Sequence, residues 1–329
     1  MHIEHTTIDV RSLKTYFYSS RGVVRAANDV CFTVRKGEIL GIVGESGSGK
    51  TVIALSILRL IPYPGKIVHG EIIFRGENIL EKPISDMTTI RGAGISMIFQ
   101  DPMSCLNPVF TIGDQLTSGI IAHQKLSKQE AKKKAVEMLK IVHIPDPERR
   151  ILSYPHEFSG GMKQRVMIAL ALSCNPELLI ADNPTTALDS TIQLQFLNLV
   201  LELRKTLGMT ILYITHDFGV VAKLCDRVAI LYAGEIIELG TVYDVLTKPK
   251  HPYTQELIKS TPALGMRTRQ IETIPGKQPD LASLPRGCKF AARCKVVKRT
   301  CSEKDIELIE TGNLQQSHQV RCINYYEAQ

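Results

Sequence analysis

Apolar residues in this chain come in short runs. EILGIV at 38–43 is a compact apolar stretch followed by a glycine-rich turn, and TVIALSILRL at 51–60 has helical apolar spacing. ISMIF at 95–99, LLIAD at 178–182 and MTILYIT at 209–215 read as further short buried strands, and RVAILYAGEIIELG at 227–240 as two strands about an Ala-Gly turn. Elsewhere the period is helical. SKQEAKKKAVEMLKIV at 127–142 opens with Ser127 and Glu130 in capping-box positions and carries a stripe of Ala131, Ala135, Met138 and Leu139. No strong strand candidate interrupts 104–176, which reads as a helical subdomain inserted into a sheet domain. Strands alternating with helices imply an α/β fold with a mostly parallel sheet covered on both faces.

Composition adds bounds. The chain has 329 residues, enough for one large domain and a smaller one, and is 44% hydrophobic and 22% charged. The longest apolar stretch, VMIALALSC at 166–174, is broken by Asn175, Pro176 and Glu177, so no membrane span is expected. MHIEHTTIDVRS lacks the apolar core of a secretory signal, which places the protein in the cytoplasm. A net charge of +7 suits a polyphosphate ligand or an anionic surface, and equally suits ordinary solubility. Near residue 250 the character shifts to KPKHPY and then Pro262, Pro275, Pro279 and Pro285, marking a loop-rich extension. The expected division is 1–250 and 251–329. Cys31, Cys105, Cys174 and Cys225 lie scattered in apolar or mixed segments and read as small buried hydrophobes.

GESGSGKT at 44–51 fits G-x-x-x-x-G-K-[ST] between a strand and a helix. Gly44, Gly47 and Gly49, with Ser46 and Ser48 between them, let successive backbone N–H groups face phosphate oxygens. The helix start adds partial positive charge. Lys50 would reach the β and γ phosphates and Thr51 would ligate magnesium. Asp182 ends an apolar strand and would hold the same ion through water.

FSGGMKQR at 158–165 places Ser159, Gly160 and Gly161 at the start of a second helical run, another anion-binding N-terminus. With FSGGM, IFQDP, TALD and YITHD in this order, the chain resembles the ABC transporter ATPases over nearly its whole length. The resemblance implies a P-loop (RecA-like) core and a head-to-tail dimer, each nucleotide lying between the phosphate loop of one subunit and Ser159–Gly161 of the other. Gln100 becomes the Q-loop glutamine and a magnesium neighbour, Asp189 the D-loop aspartate and His216 the switch histidine. Phe17 becomes the aromatic stacked on adenine, with Tyr16 or Tyr18 able to take that place. The helical subdomain and Gln100–Pro108 would face transmembrane subunits.

KHPYTQELI, IPGKQPDL and RGCKFAARC resemble the C-terminal extension of dipeptide/oligopeptide transporter ATP-binding subunits, shared with nickel and glutathione importers. Cys288, Cys294, Cys301 and Cys322 are spaced C-x5-C-x6-C-x20-C, without the short pair usual in zinc sites. Four widely spaced thiolates in a small cytoplasmic appendage suit a structural [4Fe–4S] cluster first and zinc second, with bare thiols or a disulfide also open. Arg286, Lys289, Arg293, Lys295, Lys298 and Arg299 would offset the charge of such a cluster.

The resemblance therefore implies an ATPase subunit of a peptide importer. Its partners would be a paralogous ATPase subunit, two permease subunits and, indirectly, an extracytoplasmic peptide-binding protein, without nucleic acid. The site of action would be the cytoplasmic face of the membrane. A soluble ABC ATPase of repair or translation usually has long coiled-coil insertions or two cassettes, and neither is present. One position departs from the family: Asn183 stands where a catalytic glutamate is normal. An amide can orient water but cannot take its proton. A naturally weakened half-site, an engineered trap and a sequence change all fit. The first predicts a nucleotide-triggered clamp with slow turnover of its own.

Overall fold

The computed structural model describes residues 6–20, 22–100, 105–185, 189–260, 274–311 and 317–326. The chain divides into two compact units, Met1–Leu80 with Tyr213–Gln329, and Glu81–Leu212. The tail thus shares a unit with the phosphate loop.

The first unit holds two sets of strands. β1 (Thr6–Ser19) pairs antiparallel with β2 (Gly22–Arg35) and with β4 (Gly65–Phe74), and β5 (Glu77–Asn78) completes the order β2-β1-β4-β5. The second set runs β11-β12-β10-β9-β3-β8. Its centre is β3 (Ile39–Val43), parallel to β9 (Arg227–Tyr232), and every residue of both strands is buried. Continuous apolar runs like ILGIV are what a strand covered on both faces requires. β10 (Glu235–Thr241) turns back antiparallel to β9 through Ala233 and Gly234, as the Ala-Gly turn predicts. β8 (Thr210–Thr215) lies beside β3, and the two-residue strands β11 (Ile309–Glu310) and β12 (Gln319–Val320) extend the other edge.

The tail is loop-rich, as its prolines imply, yet its largest buried side chains pack into the main core. Tyr253 and Phe290 are buried in one apolar cluster with Val43, Val228, Ile230 and Tyr232. The ring centroids of Tyr232, Tyr253 and Phe290 lie 4.5–5.4 Å apart in tilted or edge-on contacts, the favoured aromatic geometry.

In the second unit β6 (Ile95–Ile98) pairs parallel with β7 (Leu178–Asp182). Helices occupy Ile112–Gln124, Lys128–Ile141, Pro147–Arg150, Gly160–Leu172 and Ser190–Leu207. Ser127 and Glu130 form the expected capping box, and Ala131, Ala135, Met138 and Leu139 are the buried face of that helix. No helix among the described residues is long and apolar enough to cross a membrane.

Candidate functional site

The phosphate loop joins β3 to the helix Lys50–Ile57. Gly49 precedes that helix with φ at 104°, and a Cβ there would stand 1.9 Å from the Ala26 carbonyl oxygen. Only glycine meets both conditions. Lys50 is 6% exposed, and its Nζ donates to the carbonyls of Gly44 and Glu45, both at 2.8 Å. Ser48 is buried, while Ser46, Gly47 and Thr51 are exposed. Buried positive charge, a helix start and exposed loop backbone make a site for an anion of high charge.

His216 is exposed directly after β8, and Asp217 behind it caps the helix Phe218–Leu224. Phe17 lies on β1 opposite Gly65, and a Cβ at Gly65 would meet its ring at 2.6 Å. The Tyr16 hydroxyl donates to Asn28 at 2.8 Å, and Asn28 donates to Glu235. Tyr18 is largely exposed.

On the second unit Asp182 ends the fully buried β7 and is 1% exposed. Asn183 follows with φ at 45°, and its Nδ2 donates to Asp182 Oδ1 at 3.1 Å. Ser159 caps the helix Gly160–Leu172 by accepting the Met162 N–H, and Ser159 and Gly160 are exposed. Asp189 caps the helix Ser190–Leu207 by accepting the N–H groups of Thr191 and Ile192. Gln164, between signature and strand, donates to the Pro184 carbonyl, and its buried Oε1 has no partner. Gln100 is exposed after β6. Residues 101–104 of the Q-loop neighbourhood and 186–188 of the D-loop lie outside the described residues.

The four tail cysteines, 34 positions from first to last in sequence, line one cavity with His251. None forms a disulfide. Burial pushes the Cys288 thiol up to about 12, and the neighbouring thiols Cys301, Cys322 and Cys294 push the same way. Cys294 and Cys322 are raised for the same first reason, burial. Thiolates here would need a cationic group between them. Among the described residues no group of three or more His, Cys, Asp or Glu side chains is arranged as a metal-ion site.

Two expectations are corrected. Cys105 is exposed, and Cys31, Cys174 and Cys225 are only half-buried, because mixed segments bury one face and leave the other wet. Most of the tail's basic side chains face carboxylates rather than the thiols. Lys289 lies 3.7 Å from Glu235, Arg293 3.0 Å from Glu45, Lys295 2.9 Å from Glu256 and Arg299 2.8 Å from Glu303.

A family model described as ABC transporter matches residues 27–186, and one described as oligopeptide/dipeptide transporter, C-terminal region, matches 237–301. Over 317 residues the chain is 50% identical to a probable peptide ABC transporter ATP-binding protein, y4tR, of Sinorhizobium fredii, covering 96% of this chain and 94% of that one. The chain belongs to the ATP-binding proteins of ABC transporters. This ATP-binding protein is also 49% identical over 288 residues to the dipeptide transport ATP-binding protein DppD of Bacillus subtilis, covering 87% of this chain and 86% of that one. With the oligopeptide transport ATP-binding protein OppD of Salmonella typhimurium it shares 46% identity over 308 residues, 93% and 92% of the two chains. Among solved structures, the dimeric ATP-binding cassette MJ0796 in a post-hydrolysis state bound to ADP and Pi superposes with a TM-score of 0.64 at 28% identity, over 71% of this chain and 98% of that one. The cassette cbiO1 of Clostridium perfringens gives 0.64 at 28% identity, over 74% and 92%.

The C-terminal match contains the segment His251-Pro252-Tyr253, whose chemistry spacing alone did not reveal. His251 is 1% exposed and its Nδ1 accepts the Tyr253 N–H at 3.0 Å, so the ring proton sits on Nε2. That Nε2 is buried without a partner among the described residues. Burial pushes the His251 imidazole down to about 4, with Glu238 opposing weakly, so the ring is neutral. The unfolded chain takes up this proton near pH 6.5, the folded chain only near 4. The fold therefore loses stability as pH falls through that window, by roughly 3 kcal/mol from this group. The ring's titratable neighbours are Glu238 and the four cysteines. A series of urea midpoints from about pH 7 to about pH 4.5 should show a shallower decline for His251→Gln than for the parent.

Proposed function

We propose that this chain binds and hydrolyses ATP to energise import of di- and oligopeptides through a membrane ABC transporter. The observation that carries it is the joining, on one chain, of the ABC phosphate loop to the oligopeptide/dipeptide transporter C-terminal region. DppD and OppD, named for dipeptide and oligopeptide transport, match most of the chain at 46–49% identity.

The loop 44–51 cradles the phosphates, Lys50 neutralises them, and Thr51, Asp182 and Gln100 hold magnesium. Phe17 stacks on adenine and His216 senses the γ-phosphate. Ser159, Gly160, Gly161 and Asp189 act on the nucleotide of a second ATPase subunit, a pairing supported by the dimeric state of the MJ0796 cassette. Closure on ATP and opening after hydrolysis would drive two permease subunits, fed by a peptide-binding protein, from the cytoplasmic face of the membrane.

A second reading concerns rate. Asn183 gives its amide N–H to Asp182 and has no carboxylate to accept a proton from water. This half-site then binds ATP and turns it over slowly, while the partner's site does most of the hydrolysis.

The cysteine cavity is proposed to hold a [4Fe–4S] cluster on Cys288, Cys294, Cys301 and Cys322. The gathering of all four thiols and an unpartnered imidazole N–H around one cavity supports the fit. Bound there, the group would tie together a segment with almost no core of its own.

Three outcomes are expected. In the reconstituted transporter, Lys50→Ala should drop peptide uptake to background and weaken ATP binding at least about tenfold; undiminished uptake would sink the assignment. Asn183→Glu should raise single-site turnover at least about tenfold, since a general base is worth about 10²–10⁴ in rate. Anaerobic analysis should find about four iron and about four labile sulfide per chain, whereas stoichiometric zinc without iron would replace the cluster reading.

A further inference from the structure

The phosphate loop and the cysteine cavity are joined by two short pieces of the tail. The first is His251–Tyr253, at the start of the helix Pro252–Lys259. His251 lines the cavity, and its Nε2 is buried without a partner among the described residues. Two residues on, the buried Tyr253 hydroxyl accepts the backbone N–H of Glu45 at 3.1 Å. The second piece is Arg293–Cys294. Cys294 lines the cavity. Arg293 donates to both carboxylate oxygens of Glu45, at 3.0 and 3.2 Å, and to the Tyr232 hydroxyl at 3.1 Å. Its Nε donates to the Pro275 carbonyl at 2.9 Å, and its side chain is 6% exposed. Phe290 fills the space between the pieces, its ring centroid 5.4 Å from both tyrosines and 6.0 Å from His251.

Glu45 is the second residue of GESGSGKT. Its backbone N–H and its carboxylate are both held by groups within two residues of the cavity wall. Its carbonyl accepts Lys50 Nζ, so the clamp acts on the residue that helps to place the phosphate-binding lysine. Close-packed interiors transmit strain, which gives a change at the cavity wall a route to the loop.

We propose that this clamp couples the cavity to the phosphate loop: filling the cavity with a thiolate-bound metal group raises affinity for a nucleoside triphosphate, and emptying it lowers that affinity. The inference rests on the reading of loop and cavity given above. His251 Nε2–H would be a donor available to the occupant, and Arg293 is a positioning residue that acts on the nucleotide through Glu45. Linkage makes the effect reciprocal, so bound nucleotide also slows loss of the metal group.

The test is equilibrium binding of a fluorescent ATP analogue to the full chain, anaerobically, as purified and after chelator stripping, for the parent and Arg293→Ala, with iron, sulfide and zinc counted in each sample. Stripping should weaken the parent's binding about tenfold, on the scale of ordinary coupling between sites. Arg293→Ala should bind about tenfold more weakly while keeping its metal, stripping should then add little, and Arg293→Lys should recover part of the loss. Equal affinity of loaded and stripped parent overturns the coupling. Should the stripped chain unfold, unchanged affinity in metal-loaded Arg293→Ala overturns it instead. A chain with no metal overturns coupling and cluster together. Zinc in place of iron removes only the cluster, and a loaded parent that binds no nucleotide removes the phosphate-loop reading and the coupling with it.

Discussion

The first unit is organised around the close approach of backbone to backbone at the phosphate loop. A Cβ on Gly44 would lie 2.1 Å from the Leu231 carbonyl oxygen, and one on Gly49 1.9 Å from that of Ala26. The loop is thus wedged between β9 and β2. The Gly234 N–H donates to the Ser48 carbonyl at 2.9 Å, and the Asn28 N–H to the Gly234 carbonyl at 2.8 Å, so the β9–β10 turn is stitched to both. Amides can face phosphate oxygens only if the backbone carrying them cannot relax away. The two sets of strands supply that rigidity, and nothing larger than glycine fits where they grip.

The tail is held by the same surface. Burying a side chain like Phe290 contributes about 1.5–3 kcal/mol, and it does so inside the main cluster. Among the described residues the tail's separate cluster is Cys301, Ile306 and Ile323, with Cys288 and Ala291 against it. Lys289 beside Glu235 and Arg321 beside Asp29 pin further points of the tail to the strands. Burial raises the Glu235 carboxyl, and Lys289 opposes that shift, so the pair fixes position more than it adds stability. A segment with so small a core of its own gains most from a covalent or metal staple.

Legibility in the sequence followed physical regularity. β3, β7 and β9 are uninterrupted apolar runs, and the helix Lys128–Ile141 has both a cap and a stripe. β1 was opaque because its alternation changes phase. Ile8 and Val10 are buried at even positions, then Leu13 and Thr15 at odd ones, with Ser12 at φ 44° where the pairing register shifts. One extra residue in a strand erases the period-2 signal. The nucleotide motifs were legible because phosphate chemistry forces fixed residue types at fixed spacing. The clamp on Glu45 was not, because its members lie some 200 or more positions apart in sequence, 208 for Tyr253 and 248 for Arg293.

Asn183 shows how local backbone and chemistry constrain one another. Its φ of 45° lies in the left-handed region, which asparagine tolerates better than most residues with a Cβ. Its short side chain can turn onto its neighbour, and Nδ2 does so, meeting Asp182 Oδ1. That contact gives one oxygen of the Asp182 carboxylate a defined partner, at the cost of any proton acceptor at position 183. Glutamate would reverse both effects: a longer side chain, less at ease in this conformation, with a charge that repels Asp182. In the proposed pair of half-sites, this one would bind ATP and turn it over slowly while its partner would carry most of the hydrolysis. An amide at position 183 therefore bears on water activation alone and leaves the construction of the nucleotide cradle intact.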